Sequence, residues 1–257
     1  MVAVVTGASS GIGKEMARAL AKRGFDVILV ARREERLLNL QREIKKRYKV
    51  NAEVFVCDLK KTKECYKLFE YCKNKPVKIF VNNAGVGHPD YVTRMNLSKD
   101  SEMIKTNLVA VHLLTKLFAR HMKRGIILNV SSMAGFQPGP GMAVYGATKS
   151  YIYQFSRAMG YELKRQKSKV RIAILCPGPV DTEFDNGVNK FKFRVLFRQS
   201  AKECAEYAVS EMLKGKEVII PGFTNRLLRQ TAKFIPENIV LCLEHKIQTS
   251  KHQHRKS

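Results

Sequence analysis

The sequence predicts a single α/β domain built on a doubly wound, seven-stranded parallel sheet, and three observations carry that prediction. Short apolar, β-branched runs of strand length recur along the chain, amphipathic stretches separate most of them, and a glycine-rich turn follows the first run directly. Alternation of this kind calls for parallel crossovers, because each helix covers a sheet face and returns the chain to the same end. At 257 residues there is ample chain for one large core.

The first run, Val2 to Val5, is apolar at every position, which fits a strand buried on both faces. The turn Thr6-Gly7-Ala8-Ser9-Ser10-Gly11-Ile12-Gly13 comes next, spaced Gly-x3-Gly-x-Gly rather than Gly-x-Gly-x2-Gly. Its glycines turn the chain tightly and let backbone approach a pyrophosphate. Lys14 to Arg23 continues as a helix whose N-terminal amides and dipole face that anion. Six further strands are predicted at Val27–Val30, Val54–Cys57, Ile79–Val81, Ile126–Val130, Ile172–Cys176 and Val218–Ile220. The glycine turn, Asp58, Asn82 to Gly85, Ser132 and Pro177 all follow the carboxyl ends of these strands, the edge where doubly wound sheets bind ligands.

Past this core the pattern changes. Asn225–Phe234 and Glu237–His245 predict two short helices, with Pro236 suited to the first turn of the second. Residues 1–222 therefore read as the sheet domain, 223–248 as a helical extension and 249–257 as a disordered basic tail. The extension could pack beside the cleft, block a second dimer axis or touch a membrane surface.

Composition excludes several classes. The apolar content of 45% is ordinary for a globule, and no apolar run approaches the ~20 residues of a membrane span. The first strand is predicted to begin at residue 2, so no signal peptide is expected. Cysteines 57, 65, 72, 176, 204 and 242 are scattered, so they read as reduced packing residues, and a cytoplasmic location is expected. His88, His112 and His121 lack partners at useful spacing, and no metal site is expected. The net charge of +25 is spread along the chain and no nucleic-acid motif accompanies it. A lysine-rich protein with no specific nucleic-acid partner is the expectation, with peripheral membrane contact left open.

The chemistry concentrates in Tyr145-Gly-Ala-Thr-Lys149, with Ser132 thirteen residues upstream. Tyr145 and Lys149 lie one helical turn apart on the row that continues through Ile152, Ser156, Met159 and Leu163. A lysine ammonium there lowers the pKa of a phenol, ordinarily ~10, by stabilising the phenolate. A serine alongside can donate a hydrogen bond to a carbonyl oxygen. Together these make a general acid, its tuner and a polarising donor. Arg32 and Arg33 follow the second strand, where an acidic residue would bind ribose hydroxyls and a positive charge suits an extra phosphate.

With these motifs the chain resembles the short-chain dehydrogenase/reductases from about Val2 to Gly222. The resemblance rests on the glycine turn, on Asn82-Asn83-Ala84-Gly85, on the set Asn107, Ser132, Tyr145 and Lys149, and on Pro177-Gly178 followed by Thr182. It implies a Rossmann-type fold, Tyr145 as catalytic acid/base and Ser132 as orienter of the substrate carbonyl. It further implies that Lys149 binds the nicotinamide ribose while tuning Tyr145, and that the Asn107 main chain holds a relay water. Gly7, Ser9, Ser10, Gly11, Ile12 and Gly13 would cradle the cofactor. Asp58 would sit by the adenine, Asn83, Ala84 and Gly85 would floor the site, and Pro177, Gly178 and Thr182 would flank the nicotinamide. Relatives pair the tyrosine-bearing helix across a twofold axis, so its second stripe, Ala147, Tyr151, Phe155 and Ala158, fits a homodimer interface and equally fits ordinary core; a homodimer is the expectation.

The expectation is an NADPH-dependent oxidoreductase interconverting a carbonyl and a secondary alcohol. Phe184, Phe191, Phe193, Leu196 and Phe197 read as a lid that favours a lipophilic substrate (a ketone, steroid-like or 3-oxoacyl compound). The alternative is a protein of this fold that binds cofactor or nucleic acid without catalysis. The Tyr145/Lys149 pair argues against it, since a pure binder has no need of an activated phenol.

Overall fold

The computed structural model describes residues 1–183 and 199–249. The expected aromatic lid between Phe184 and Phe197, and the basic tail beyond Thr249, lie outside the described residues.

Seven parallel strands form one sheet. In chain order they are β1 (Val2–Thr6), β2 (Asp26–Ala31), β3 (Ala52–Val56), β4 (Val77–Asn82), β5 (Gly125–Val130), β6 (Val170–Leu175) and, after two short strands, β9 (Val218–Ile219). Their spatial order is β3-β2-β1-β4-β5-β6-β9. β7 (Val180–Asp181) and β8 (Gln199–Ser200) pair with each other in a separate ladder that the hydrophobic pattern did not signal. All seven predicted strands are present with ends shifted by one or two residues, because strand ends depend on pairing partners as much as on apolar runs.

The side-chain period of two sorts each strand between two cores. Val5, Leu29, Val81, Leu128 and Leu175 face one core, where they meet α1 (Gly11–Ala21), α2 (Glu34–Tyr48) and α7 (Ala201–Leu213). Val4, Ile28, Phe80 and Ile127 face the other, against α3 (Thr62–Cys72) and α5 (Ala110–His121). Phe80 and Phe118 stack there with centroids 3.8 Å apart. Small residues on α1 and α7 (Ala17, Ala21, Ala205 and Ala208) are fully buried and let those helices approach closely. Helix α7 begins at a capping box in which Ser200 and Glu203 satisfy each other's backbone amides.

Two helices depart from expectation. α1 starts at Gly11, earlier than the predicted Lys14, because Ser10 is extended and leaves the chain free to turn at once. The run from Glu102 to His121 is helix-like in sequence; the chain there forms α4 (Leu97–Met103), a π-helical turn (Ile104–Val109) and α5 in unbroken succession. α6 (Ala143–Arg165) carries the tyrosine-lysine row. α8 (Phe223–Thr231) and α9 (Glu237–Thr249) follow the sheet, joined by a single 3-10 turn. No helix among the described residues is long and apolar enough to cross a membrane.

Between β4, β5, α5 and α6 lies a polar network with no sequence signature. Asn82 Nδ2 donates to Thr115 Oγ1 at 3.0 Å and to Asn129 Oδ1 at 2.9 Å; Asn129 Nδ2 donates to Ser156 Oγ at 2.8 Å. All four residues are buried, and each satisfies the others' polar atoms. Asn129→Ala leaves three of them short of a partner, so urea unfolding should show a loss of about 3 kcal/mol at unchanged m-value. A loss below ~1 kcal/mol would show that the network contributes little.

Candidate active site

The cleft begins where β1 and β4 end side by side. Thr6 Oγ1 donates to Val81 O at 3.0 Å and accepts from the amides of Asn83, at 2.9 Å, and Ala84, at 3.1 Å. Asn83 Nδ2 donates back to Thr6 O at 3.0 Å. The two loops are thereby stitched into one surface. Gly7 sits at φ +69°, and a Cβ there would lie 2.7 Å from Asn83 Nδ2 and 2.9 Å from Ala84 Cα. A Cβ on Gly13 would lie 2.4 Å from both Asn83 Nδ2 and Gly7 O. These glycines answer to close backbone approach, the cradle a dinucleotide pyrophosphate needs at a helix N-terminus. The residues present fit such a group.

The end of the cleft that carries Ser132, Tyr145 and Lys149 is built from β5 and α6. Ser131 Oγ donates to Lys149 O at 2.7 Å, and Ser150 Oγ donates to Gly135 O at 2.7 Å. These bonds clamp the start of α6 against the loop that carries Ser132. Ser132 Oγ accepts from the Ala134 amide at 3.1 Å, which leaves its own hydroxyl proton available for donation. Tyr145 is half-buried and lines the same cleft. Lys149 Nζ lies 5.6 Å from the centre of the Tyr145 ring and donates to Val130 O at 2.8 Å. Lys149 is only 4% exposed, and burial lowers its pKa from the ordinary lysine range to about 8. The ammonium thus persists at neutral pH and is lost just above it.

Asn107 is fully buried in the π turn, unlike the solvent-facing asparagine common on helices. Its side chain grips Val86 at both backbone groups: Oδ1 accepts from Val86 N at 2.8 Å and Nδ2 donates to Val86 O at 2.8 Å. Nδ2 also donates to Thr148 Oγ1 at 3.3 Å. The site loop after β4 is therefore tied to α6. A Cβ on Gly85 would lie 3.3 Å from Asn107 Oδ1 and 3.5 Å from Lys149 Nζ, which places that glycine between the two.

At the opposite end the two arginines diverge. Arg33 turns inward: its Nη2 donates to Ser10 Oγ at 2.7 Å and to Ser9 Oγ at 3.0 Å. Arg32 reaches away to Glu102 at 3.2 Å, and His88 contacts the other oxygen of that carboxylate at 3.3 Å. His88 thus has a partner that sequence spacing could not reveal. Asp58 borders the cleft beside them and accepts from the Lys60 amide at 3.3 Å. Ile12 also lines the cleft. Thr182 packs on the glycine turn, its Cγ2 3.0 Å from where a Cβ on Gly11 would be.

One cavity of about 1130 Å³ joins Gly7, Ser9 to Ile12, Arg33, Asp58, Asn83 to Gly85, Ser132, Tyr145, Lys149, Pro177, Gly178 and Thr182, whereas Gly13 and Asn107 are not among its lining residues. Its far wall is apolar, with Met133, Phe136, Met142, Leu227 and Leu228. The last two belong to α8, so the C-terminal extension packs beside the cleft. Asn225 holds it there: buried, it donates to Pro221 O at 2.8 Å, and its amide lies 2.5 Å from where a Cβ on Gly178 would stand. Arg229 of α8 donates to Tyr153 OH at 2.6 Å and lies over the Phe136 ring. Thr6, Ser131 and Asn225 were missed by sequence reasoning, since their roles arise from loops meeting in space. No group of His, Cys, Asp and Glu among the described residues could hold a metal ion.

A doubly wound sheet with a glycine turn at its switch point and a Ser-Tyr-Lys cluster facing it defines a dinucleotide-dependent oxidoreductase class. The comparisons agree with that class. The short chain dehydrogenase family model matches residues 1–192. The chain is 36% identical over 229 residues to "Hydroxysteroid dehydrogenase-like protein 1" of Gallus gallus, covering 86% of this chain and 67% of that one. It is 39% identical over 166 residues to "Inactive hydroxysteroid dehydrogenase-like protein 1" of Homo sapiens, covering 62% of this chain and 50% of that one. A "Very-long-chain 3-oxoacyl-CoA reductase" of Kluyveromyces lactis is 34% identical, with 67% of this chain and 53% of that one covered. The chain therefore spans about half the length of several curated relatives.

Among solved structures, a short-chain dehydrogenase from Sphingobium yanoikuyae in complex with NADPH superposes with a TM-score of 0.79 at 26% identity, covering 86% of this chain and 88% of that one. A 3-ketoacyl-(acyl-carrier-protein) reductase from Brucella melitensis complexed with NADH gives 0.76 at 27%, covering 86% and 96%. The chain belongs to the short-chain dehydrogenase/reductase family.

The buried Lys149 ammonium makes a testable stability claim. Its folded pKa, about 8, lies below the ordinary 10.5, so the charged form opposes folding fully below pH 8 and the penalty fades as pH rises toward 10.5. Lys149→Met carries no such group. Between pH 7 and 9.5 the wild-type protein should gain stability relative to Lys149→Met, by about 2 kcal/mol, in parallel urea titrations. A gap that does not move with pH would contradict the assignment.

Proposed function

We propose that this protein is an NADPH-dependent oxidoreductase that interconverts a carbonyl and a secondary alcohol on a lipophilic substrate. The observation that carries this reading is the meeting of Ser132, Tyr145 and Lys149 in one cleft with the glycine turn and Arg33. The nicotinamide, when bound, supplies or accepts a hydride. Every other step falls to the chain's own residues. Ser132 donates its hydroxyl proton in a hydrogen bond to the substrate oxygen. The Tyr145 hydroxyl gives that oxygen its proton in the reductive direction, and the nearby Lys149 ammonium stabilises the phenolate left behind. Asn107, on a π turn of the kind that recurs at functional sites, braces the loop beside Lys149 and holds the relay water with its main chain.

Two features support the substrate class. The wall of Met133, Phe136, Met142, Leu227 and Leu228 suits an apolar body. The relatives' names also point to steroid and long-chain 3-oxoacyl substrates. Arg33 at the end of β2, with no acidic residue before Glu34, supports NADPH over NADH. The partly exposed stripe of Tyr151 and Phe155, stacked at 5.6 Å and flanked by exposed Ala147 and Ala158, supports homodimer pairing through α6. Five buried, unpaired cysteines suit a reducing cytoplasm.

A second reading, a fold-bearing binder without catalysis, is favoured by one observation: the human relative is named inactive. Tyr145→Phe separates the two. It should keep cofactor binding while NADPH-linked turnover of long-chain ketones falls by ~10²-fold or more; wild-type protein inert across steroid and 3-oxoacyl substrates would favour the binder.

For the cofactor, NADPH should bind at least ~10-fold tighter than NADH. Arg33→Ala should erode that preference more than Arg32→Ala, since Arg32 is turned toward Glu102. Equal dissociation constants in the unmodified protein would overturn the NADP reading.

A further inference from the structure

Arg33 is not open on every side. While Nε and Nη2 serve Ser9 and Ser10, Nη1 donates to Glu183 Oε2 at 2.7 Å. The other Glu183 oxygen accepts from Arg36, one turn along α2. An anionic, planar carboxylate therefore sits between two guanidiniums, at the point where the end of β2 meets the glycine turn. A second cavity of about 450 Å³ adjoins this point, with Lys14, Arg36 and Glu183 in its lining. Ser9, Ser10, Gly11, Thr182 and Glu183 border both cavities, so Glu183 belongs to the partition between them. The arginines hold the Glu183 carboxyl below the usual carboxylate range, and it is ionised at neutral pH.

A carboxylate and a phosphate monoester offer a guanidinium the same thing, two anionic oxygens at matching spacing. The Nη1 group that donates to Glu183 cannot serve both at once, and a dianionic phosphate beside Arg33 would repel Glu183. On the reading that Arg33 receives the 2′-phosphate of the cofactor, we propose that Glu183 is a specificity-determining residue: it engages Nη1 of Arg33 while bridging to Arg36, and yields Arg33 when the phosphate arrives. Glu183 thereby weakens binding of 2′-phosphorylated ligands and spares ligands that end in ribose hydroxyls. All three side chains are 43–47% exposed, so the competition amounts to a modest factor.

The test uses adenosine 2′,5′-bisphosphate and 5′-AMP, which carry the adenosine end without the reacting ring, titrated calorimetrically into the full-length protein. Glu183→Gln should bind the bisphosphate about five-fold tighter than wild type and bind 5′-AMP unchanged. Arg33→Ala should abolish the difference between the two ligands, and thermal unfolding of each variant checks that it is folded. If wild type prefers the bisphosphate but Glu183→Gln leaves its affinity unchanged or weaker, the role of Glu183 is wrong while the NADP reading stands. Equal tightening toward both ligands would also overturn it, because Glu183 would then merely obstruct the cleft. If wild type shows no preference and Glu183→Gln creates one, the masking role of Glu183 is supported while the NADP preference of the unmodified protein falls. If neither discriminates, the NADP reading and the proposal fall together.

Discussion

The hydroxyl of Thr6 joins the carboxyl ends of β1 and β4, and the rest of the cleft depends on that junction. One oxygen donates to the carbonyl of Val81 and accepts from two successive amides, Asn83 and Ala84. Asn83 closes the link by donating to Thr6. Strand order reverses at this place, with β2 on one side of β1 and β4 on the other, so the loops diverge and open a crevice. Without the junction the glycine turn would have no fixed floor. With it, neither Gly7 nor Gly13 has room for a Cβ.

From that floor the site extends by a series of ties between loops and α6. Asn107 binds the loop after β4, Ser131 and Ser150 bind the loop after β5, and Met133 N donates to Pro177 O at 2.9 Å to bring in the loop after β6. Each tie uses a side-chain or backbone group that would otherwise be an unsatisfied buried polar atom. Polar satisfaction and site geometry are thus met by the same bonds. Lys149 is the exception in sign: its ammonium is buried and donates to Val130 O, and burial opposes its charge. The fold carries a destabilising group at the position where the proposed chemistry needs a cation, a pattern common at functional sites.

At the ribose end the same economy of partners sets up a contest. The molecule supplies its own anion, Glu183, to the arginine that faces Ser9 and Ser10, and a ligand phosphate has to compete with an occupant already in place. Selectivity in such a site reflects the difference between two anions on one arginine, beyond the attraction of either alone.

By itself the sequence determined what local rules govern. Seven apolar runs specified seven strands, their alternation with amphipathic stretches specified parallel crossovers, and short motifs marked which strand ends carry the site. Period and spacing are properties of neighbouring residues, so they can be read along a line. The π turn around Asn107, the network of Asn82, Thr115, Asn129 and Ser156, the β7–β8 ladder and the grip of Asn225 on Gly178 were decided only in the tertiary structure. So were the divergence of Arg32 from Arg33 and the pairing of Arg33 with Glu183, 150 positions away. Each of these is a bond between groups far apart in the chain. A residue's partner there depends on which backbones the sheet has brought within 3 Å or so of each other, and no local pattern records that.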